Sequence, residues 1–179
     1  MKRYVAFLRG MNLGRRRIKN EELRAEFEAL GFEDVATFRA SGNVIFAAAR
    51  KSEAALAETI EHGLGEALGY EVPVFLRSCA EVAGIAAQEP FEPKAVAASK
   101  GKLQVSLLAR KPTAAARRKV LALAGEEDLL AIAGRELYWL PSGGLLESDL
   151  DLKAIEAALG KDTRRTMGTI EQIAAKHCG

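Results

Sequence analysis

The chain has 179 residues, 49% hydrophobic and 28% charged, and this balance is typical of a folded globular protein rather than a disordered one. No apolar run approaches the ~18 residues that cross a bilayer, which excludes a membrane-spanning helix. The N-terminal residues 1–5 lead at once into a strand-like run, so we expect no signal peptide. Two cysteines, Cys79 and Cys178, are too few for a disulfide framework, so we expect a cytoplasmic protein.

The first half of the sequence predicts the order strand, helix, strand, strand, helix, strand, helix. Hydrophobic periodicity defines each element, and Asn, Ser and Gly residues mark where the helices begin and end. The predicted elements are a strand at 4–8, a helix at 20–30 capped by Asn20 and ended by Gly31, hairpin strands at 35–39 and 43–47 around Ser41 and Gly42, a helix from Ser52 to Gly69, a strand at 72–77, and a short helix begun by Ser78 and Glu81.

A proline-containing stretch at 89–101 is interpreted as a linker, and after it the same order of elements returns. The predicted elements are a strand at 103–108, a helix from Thr113 to Gly125, hairpin strands at 129–133 and 136–140 around Gly134 and Arg135, a helix begun by Ser148 and Asp151 and ended by Gly160, a short strand at 163–165, and a last helix capped by Thr169 with Gln172.

The residues that begin and end the helices repeat at a nearly constant separation. Pairs such as Gly31 with Gly125 and Gly69 with Gly160 lie about 90 residues apart, in the same order along both halves. We therefore predict an α+β fold, a tandem repeat of two ferredoxin-like βαββαβ subdomains that are each followed by an extra helix. The predicted domains are 1–88 and 102–179, joined by the linker at 89–101.

Positive charge is concentrated at the start of the chain. Of the 26 Lys and Arg residues, seven lie in residues 1–20, where there is no acidic residue. The remaining residues hold 19 basic and 24 acidic side chains, a net charge of −5. A cationic segment on an acidic body predicts a surface that faces an anion, and the alternative is that these charges are simply solvated.

The predicted topology brings the loop after the first strand to the same edge as the turn between the second and third strands. Glycines there would let backbone N–H groups approach a ligand, and arginines would supply paired donors to a phosphate. The alternative is that the glycines shape a long loop whose backbone the polar side chains satisfy. The candidate ligand-binding residues are Arg9, Gly10, Asn12, Gly14, Arg15, Arg16, Arg17, Ser41, Gly42 and Asn43.

The segments 4–14 (YVAFLRGMNLG) and 37–46 (TFRASGNVIF) resemble the bacterial domain-of-unknown-function family 1697. The resemblance extends over essentially the whole chain and rests on the R-G-x-N-x-G and S-G-N motifs. It implies a two-part ferredoxin-like fold, and it implies no activity.

The C-terminal part departs from this family's pattern. The family signature is similar to T-x-R-N-W-N-T, and here only Thr163, Arg165 and Thr169 match it. Ser148 matches the family's usual helix start, but Asp149 stands where a lysine would be. These four matching residues are secondary candidates for a ligand site that is altered in this chain.

Three classes of function remain open from the sequence. The first is binding of a phosphate-containing ligand, a nucleotide or a nucleic-acid backbone, and the second is an enzyme in which Arg9 and Asn12 orient a small anionic substrate. The third is a protein-interaction module, although no partner can be named. The sequence predicts no metal, cofactor or membrane contact, and it lacks the motifs of serine hydrolases, P-loops, dinucleotide-binding folds and RNA-recognition sheets.

Overall fold

The structure is a computed structural model and describes residues 1–11, 18–39 and 42–179. The chain forms two compact units, of which the first comprises Met1–Ile85 with Ile173–Gly179 and the second comprises Ala86–Gln172. The described residues form an α+β fold with two four-stranded antiparallel sheets and seven α-helices. Among these residues, no helix is both long enough and apolar enough to cross a membrane.

The order of strands and helices that the sequence predicts is observed in both halves. The strands are β1 (Lys2–Leu8), β2 (Glu33–Thr37), β3 (Asn43–Ala48), β4 (Val74–Ser78), β5 (Gln104–Leu108), β6 (Asp128–Ala133), β7 (Glu136–Pro141) and β8 (Asp162–Thr166). The helices are α1 (Asn20–Ala29), α2 (Glu53–Leu68), α3 (Cys79–Ala86), α4 (Pro93–Ala98), α5 (Ala114–Leu121), α6 (Leu152–Leu159) and α7 (Met167–His177).

The sheet of the first unit has the strand order β2-β3-β1-β4, and β1 pairs antiparallel with both neighbours. Its core contains Leu56, Ile60 and Leu64, which lie four residues apart on one face of α2 and are almost completely buried. A spacing of four keeps side chains on one side of a helix, and burying each leucine or isoleucine contributes about 2 kcal/mol. This core fixes the sheet whose edge carries the candidate site.

The sheet of the second unit has the strand order β6-β7-β5-β8, which is the order of the first sheet with each strand replaced by its counterpart. The register is also matched at the central strand. Tyr4 of β1 lies opposite Phe46 and Ser78, and Gln104 of β5 lies opposite Trp139 and Thr166. The two sheets therefore correspond residue by residue along their central strands.

Several predicted helix boundaries were wrong. The N-cap of α1 is Lys19 rather than Asn20, because the Asn20 side chain donates instead to the carbonyl oxygen of Arg39, at 3.3 Å. Helix α5 ends at Leu121, before the predicted end at Gly125. Helix α6 is capped by Asp151, whose side chain accepts from the backbone N–H of Ala154.

The last helix, α7, also begins earlier than predicted. Its first turn is capped by Thr166, whose hydroxyl oxygen accepts from the backbone N–H of Thr169 at 3.2 Å. Thr169 therefore lies inside the helix and is not its cap. The same geometry occurs at α3, where the Ser78 hydroxyl accepts from the N–H of Glu81 and the Glu81 carboxylate accepts from the N–H of Ser78.

Cys79 and Cys178 form a disulfide, which the sequence analysis did not predict. They are 99 residues apart in the sequence, and their Cα atoms lie 5.0 Å apart. Cys79 is the first residue of α3, and Cys178 directly follows α7. The pairing depends on where two distant helix ends meet, so the spacing of the two cysteines in the sequence does not predict the disulfide.

The compact units differ from the predicted domains in two places. Residues 173–179 belong to the first unit, and the predicted linker at 89–101 contains helix α4. The predicted boundaries of 1–88 and 102–179 stay a prediction.

Candidate phosphate-binding site

The end of β1 lies against the turn between β2 and β3. The backbone N–H of Leu8 donates to the carbonyl oxygen of Gly42 at 2.9 Å. Gly42 has φ +81°, and a Cβ atom there would lie 2.8 Å from Cγ of Met11 and 3.0 Å from Cβ of Leu8. The close approach therefore needs a residue without a side chain, and glycine also adopts the left-handed backbone readily.

Asn43, the first residue of β3, holds the turn through a buried side chain. Its side chain is 1% exposed, and Nδ2 donates to the carbonyl oxygen of Phe38 at 2.9 Å. The backbone N–H of Phe38 donates in return to the carbonyl oxygen of Asn43 at 3.0 Å. The Asn43 amide thus satisfies the backbone of the turn, which is the alternative role that the sequence analysis left open for it.

Arg39 is a basic residue of this turn that the candidate set omits. It is exposed, its φ is +58°, and its guanidinium lies over the Phe38 ring, 5.4 Å from the centroid. Its carbonyl oxygen accepts from the Asn20 side chain at the start of α1. A positive φ at arginine is unusual, and no local sequence signal indicates it. The turn is thereby joined to the N-terminal end of α1.

The N-terminal end of α1 carries positive dipole charge, which attracts anions. The Glu22 carboxylate already accepts from the backbone N–H of Lys19, at 3.3 Å. Glu21 and Glu22 are both exposed in the first turn of the helix. An anion on the helix axis would meet these carboxylates, which oppose its binding there.

Four of the ten candidate residues lie in the part of the chain that the structure describes. Arg9 is half-buried and its backbone N–H donates to the carbonyl oxygen of Pro73 at 3.0 Å, and Gly10 has φ +76°. Gly42 and Asn43 occupy the turn described above. The other candidates, which lie outside the described residues, are Asn12, Gly14, Arg15, Arg16, Arg17 and Ser41.

The secondary candidate residues all form hydrogen bonds with other residues of the fold. Thr163 and Arg165 are buried on β8, where Nη1 of Arg165 donates to the Thr163 hydroxyl at 2.8 Å and to the carbonyl oxygen of Arg164 at 2.9 Å. Burial lowers the pKa of Arg165 to about 10, so its guanidinium stays charged at neutral pH. The backbone N–H of Thr169 donates to the hydroxyl oxygen of Thr166 in the first turn of α7.

Ser148 lies at a cavity of about 280 Å³ in the second unit. Its hydroxyl donates to Oδ1 of Asp128 at 2.8 Å, and the indole N–H of Trp139 donates to the same oxygen at 2.7 Å. The cavity is also lined by Glu127, Glu147 and Lys100. Three carboxylates make this cavity a poor site for an anion, and within the described ranges no group of His, Cys, Asp and Glu side chains is arranged to hold a metal ion.

Comparisons with known proteins place the chain in a family. No curated protein matches it. A solved structure of the conserved bacterial protein SP0830 from Streptococcus pneumoniae is similar in fold, with a TM-score of 0.76 and 19% sequence identity over 98% of this chain and 97% of that one. The profile of one family matches residues 1–138. The chain therefore belongs to the family described as protein of unknown function (DUF1697).

Proposed function

We propose that the protein binds a phosphate-containing ligand, a nucleotide or a nucleic-acid backbone, at the loop 9–17 and the turn 41–43. The observation that carries this proposal is the hydrogen bond from Leu8 N–H to the carbonyl oxygen of Gly42. It brings the residue before Arg9 to the turn that follows Arg39. Arginines from two separate segments are then near enough to share one anion, and arginine binds phosphate through paired N–H donors.

Charge supports the same site. The loop contains Arg9, Arg15, Arg16 and Arg17, and there is no acidic residue among the first 20. Arg39 adds an exposed guanidinium from the turn. Five cations within two short segments favour a ligand with several negative charges over a single carboxylate.

Backbone conformation supports it as well. Gly10 and Gly42 both have positive φ, at +76° and +81°. Glycine at both positions lets the backbone of each segment approach a ligand closely, because no side chain lies between them. The carboxylates of Glu21 and Glu22 disfavour an anion at the helix end itself, so the proposed ligand contacts the loop and the turn.

We infer that the two sheets are tandem ferredoxin-like repeats, and their identical strand order supports this. We infer a cytoplasmic location from the composition. We further infer that each repeat is a domain, with boundaries near those predicted from the sequence.

The direct test compares two variants of equal charge. One variant carries Arg9→Gln, Arg15→Gln, Arg16→Gln and Arg17→Gln. The control carries Arg110→Gln, Lys111→Gln, Arg117→Gln and Arg118→Gln, four exposed bases of the second unit. Fluorescence anisotropy with a labelled single-stranded oligonucleotide, and thermal shift with nucleoside triphosphates, measure binding by the wild type and both variants.

We expect the loop variant to lose affinity by about tenfold or more at low salt and the control to retain it. If the oligonucleotide is the ligand, the slope of log K against log salt falls in magnitude by about 3, since each phosphate contact contributes ~0.7. If a nucleotide is the ligand, its thermal shift persists in added salt and vanishes in the loop variant. Equal losses in both variants, or in neither, would contradict the proposed site.

A further inference from the structure

The disulfide ties the end of α7 to the start of α3, and it is open to solution chemistry. Cys79 and Cys178 are both partly exposed residues, which favours the access of a small thiol. The chain has no other cysteine, so reduction yields a single dithiol form with no alternative pairing.

The surroundings of Cys79 accommodate a reduced sulfur. Cys79 is the first residue of α3, and the N-terminal end of a helix stabilises a thiolate. A thiolate that a helix end stabilises is also a good leaving group in thiol–disulfide exchange. Its Sγ lies 3.8 Å from the carbonyl oxygen of His177, so the thiol has a hydrogen-bond acceptor in place as soon as it forms.

The residue before Cys178 packs on the turn of the candidate site. The His177 ring meets Phe38 edge-on, with centroids 6.3 Å apart and an interplanar angle of 78°. The Phe38 ring also lies under the Arg39 guanidinium, and its backbone is bonded to Asn43. A displacement of His177 therefore removes packing from the aromatic ring that supports Arg39.

Little besides packing holds the His177 ring. Its Nε2 is buried without a hydrogen-bond partner among the described residues. Burial and the charges of Lys176 and Arg3 lower the pKa of His177, so the imidazole is neutral at pH 7 and gains no ion pair. Together with the backbone of α7, the covalent bond at the next residue restrains where this ring lies.

We propose that Cys79–Cys178 is a reversible redox bond whose reduction releases His177 from Phe38 and loosens the turn that carries Arg39. The bond is the proposed site of modification, and low-molecular-weight thiols and disulfides are its reactants. In the cytoplasmic location inferred above, glutathione is the thiol that meets it.

The chemistry is two successive exchanges. A glutathione thiolate attacks the sulfur of Cys178, the S–S bond breaks, and Cys79 leaves as a thiolate while a mixed disulfide forms on Cys178. A second glutathione thiolate attacks the glutathione sulfur of that mixed disulfide, which releases the Cys178 thiolate and glutathione disulfide. Two electrons pass from two glutathione molecules to the protein, and both protein thiolates take up protons. Oxidation is the reverse.

The first experiment measures whether the bond is reversible. The full chain is equilibrated in buffers of varied reduced and oxidised glutathione, quenched with maleimide, and analysed by intact mass. We expect oxidised and doubly labelled forms to interconvert across the physiological range of ratios. A bond that stays intact in the most reducing buffer would overturn the proposal.

The second experiment measures the coupling to the turn by hydrogen exchange, and it needs no ligand. The protected N–H groups are those of Leu8 and Phe38, which donate to Gly42 and Asn43. Reduction is expected to speed exchange several-fold in peptides covering the turn and in residues 173–179. A Cys79→Ser/Cys178→Ser variant should exchange like the reduced protein with or without reductant.

A His177→Ala variant separates coupling from general loosening. Without the ring, reduction still speeds exchange in residues 173–179, but exchange in the turn no longer depends on the redox state. If wild-type turn exchange is the same in both redox states, the coupling is wrong. These readouts stand whether or not a phosphate ligand binds.

Discussion

Arg77 and Arg165 occupy matching positions in the two sheets. Arg77 lies opposite Val5 on β4, and Arg165 lies opposite Val105 on β8. Both side chains are buried, and in each the Nη1 donates to the carbonyl oxygen of the preceding residue, at 2.8 and 2.9 Å. A guanidinium buried on the last strand of both sheets extends their correspondence from strand order to side-chain geometry.

Arg165→Met is expected to leave the protein as stable as the wild type or more stable at pH 7. Burial lowers the pKa of Arg165 to about 10, so the folded state holds this proton less tightly than the unfolded state and keeping the charge costs stability. Above pH 10 the unfolded state binds more protons than the folded state, so that cost fades only as the pH rises past 10. Arg165→Ala, which also leaves a cavity, should lose about 2 kcal/mol or more.

Urea unfolding followed by the fluorescence of the single tryptophan, Trp139, compares the two variants within the same unit. A loss in Arg165→Met as large as that in Arg165→Ala would mean that the buried charge is fully compensated in the folded state.

Gly42→Ala should destabilise the protein more than Gly69→Ala. Both glycines have positive φ, at +81° and +77°, so each alanine adds about 1 kcal/mol of backbone strain. Only at Gly42 would the new Cβ approach other atoms closely, 2.8 Å from Met11 Cγ, whereas nothing lies within 4 Å at Gly69. We expect a further loss of about 1–3 kcal/mol for Gly42→Ala, measured by urea unfolding with circular dichroism. Equal losses would mean that the turn relaxes away from Met11.

Thr166→Ala should destabilise α7 by about 1 kcal/mol, because it removes the hydroxyl that caps the helix. Thr169→Ala removes a hydroxyl that lies 3.0 Å from the Thr166 hydroxyl, and it leaves the cap in place. Its expected loss is smaller, a few tenths of a kcal/mol. Thermal unfolding of the two single variants measures both losses of stability. A larger loss for Thr169→Ala would mean that Thr169 is the cap, as the sequence predicts.

Asp128→Ala should cost about 2 kcal/mol, since the Trp139 indole is almost completely buried and would lose the acceptor of its N–H. Asp128→Asn keeps an oxygen at the same place and should cost less than half as much. The emission maximum of Trp139 should also shift in Asp128→Ala, whereas Asp128→Asn should resemble the wild type. If both variants behave alike, it is the carboxylate charge rather than the acceptor that stabilises this contact.

Elements with strong local signals could be predicted closely from the sequence. Helix α2 begins after Ser52 and ends at Gly69 as expected, because a hydroxyl cap and a left-handed glycine are encoded within the helix itself. The boundaries of α1 and α7 were misplaced by one to three residues. Lys19 is the N-cap of α1 because the Asn20 side chain bonds to Arg39 instead. Thr166 caps α7 in place of Thr169, and the sequence offers no local basis for choosing between two threonines.

The candidate site likewise has features that the sequence predicts and features that it does not. Strand order alone was sufficient to expect that the loop after β1 would meet the turn before β3, and Leu8 does bond to Gly42. The hydrogen bond from Asn20 to the carbonyl oxygen of Arg39 joins residues 19 apart, and the disulfide joins two helix ends 99 residues apart. Neither contact is local, so neither leaves a periodic or compositional trace in the sequence.

The assignment of Ile173–Gly179 to the first unit has a consequence for protein synthesis. The ribosome makes all of Ala86–Gln172 between the two segments of that unit. At ~5–20 residues per second, roughly 5 to 20 s pass between the synthesis of Met1–Ile85 and that of Ile173–Gly179. The second unit can therefore complete its own chain first, and the Cys79 thiol stays unpaired throughout translation until Cys178 arrives.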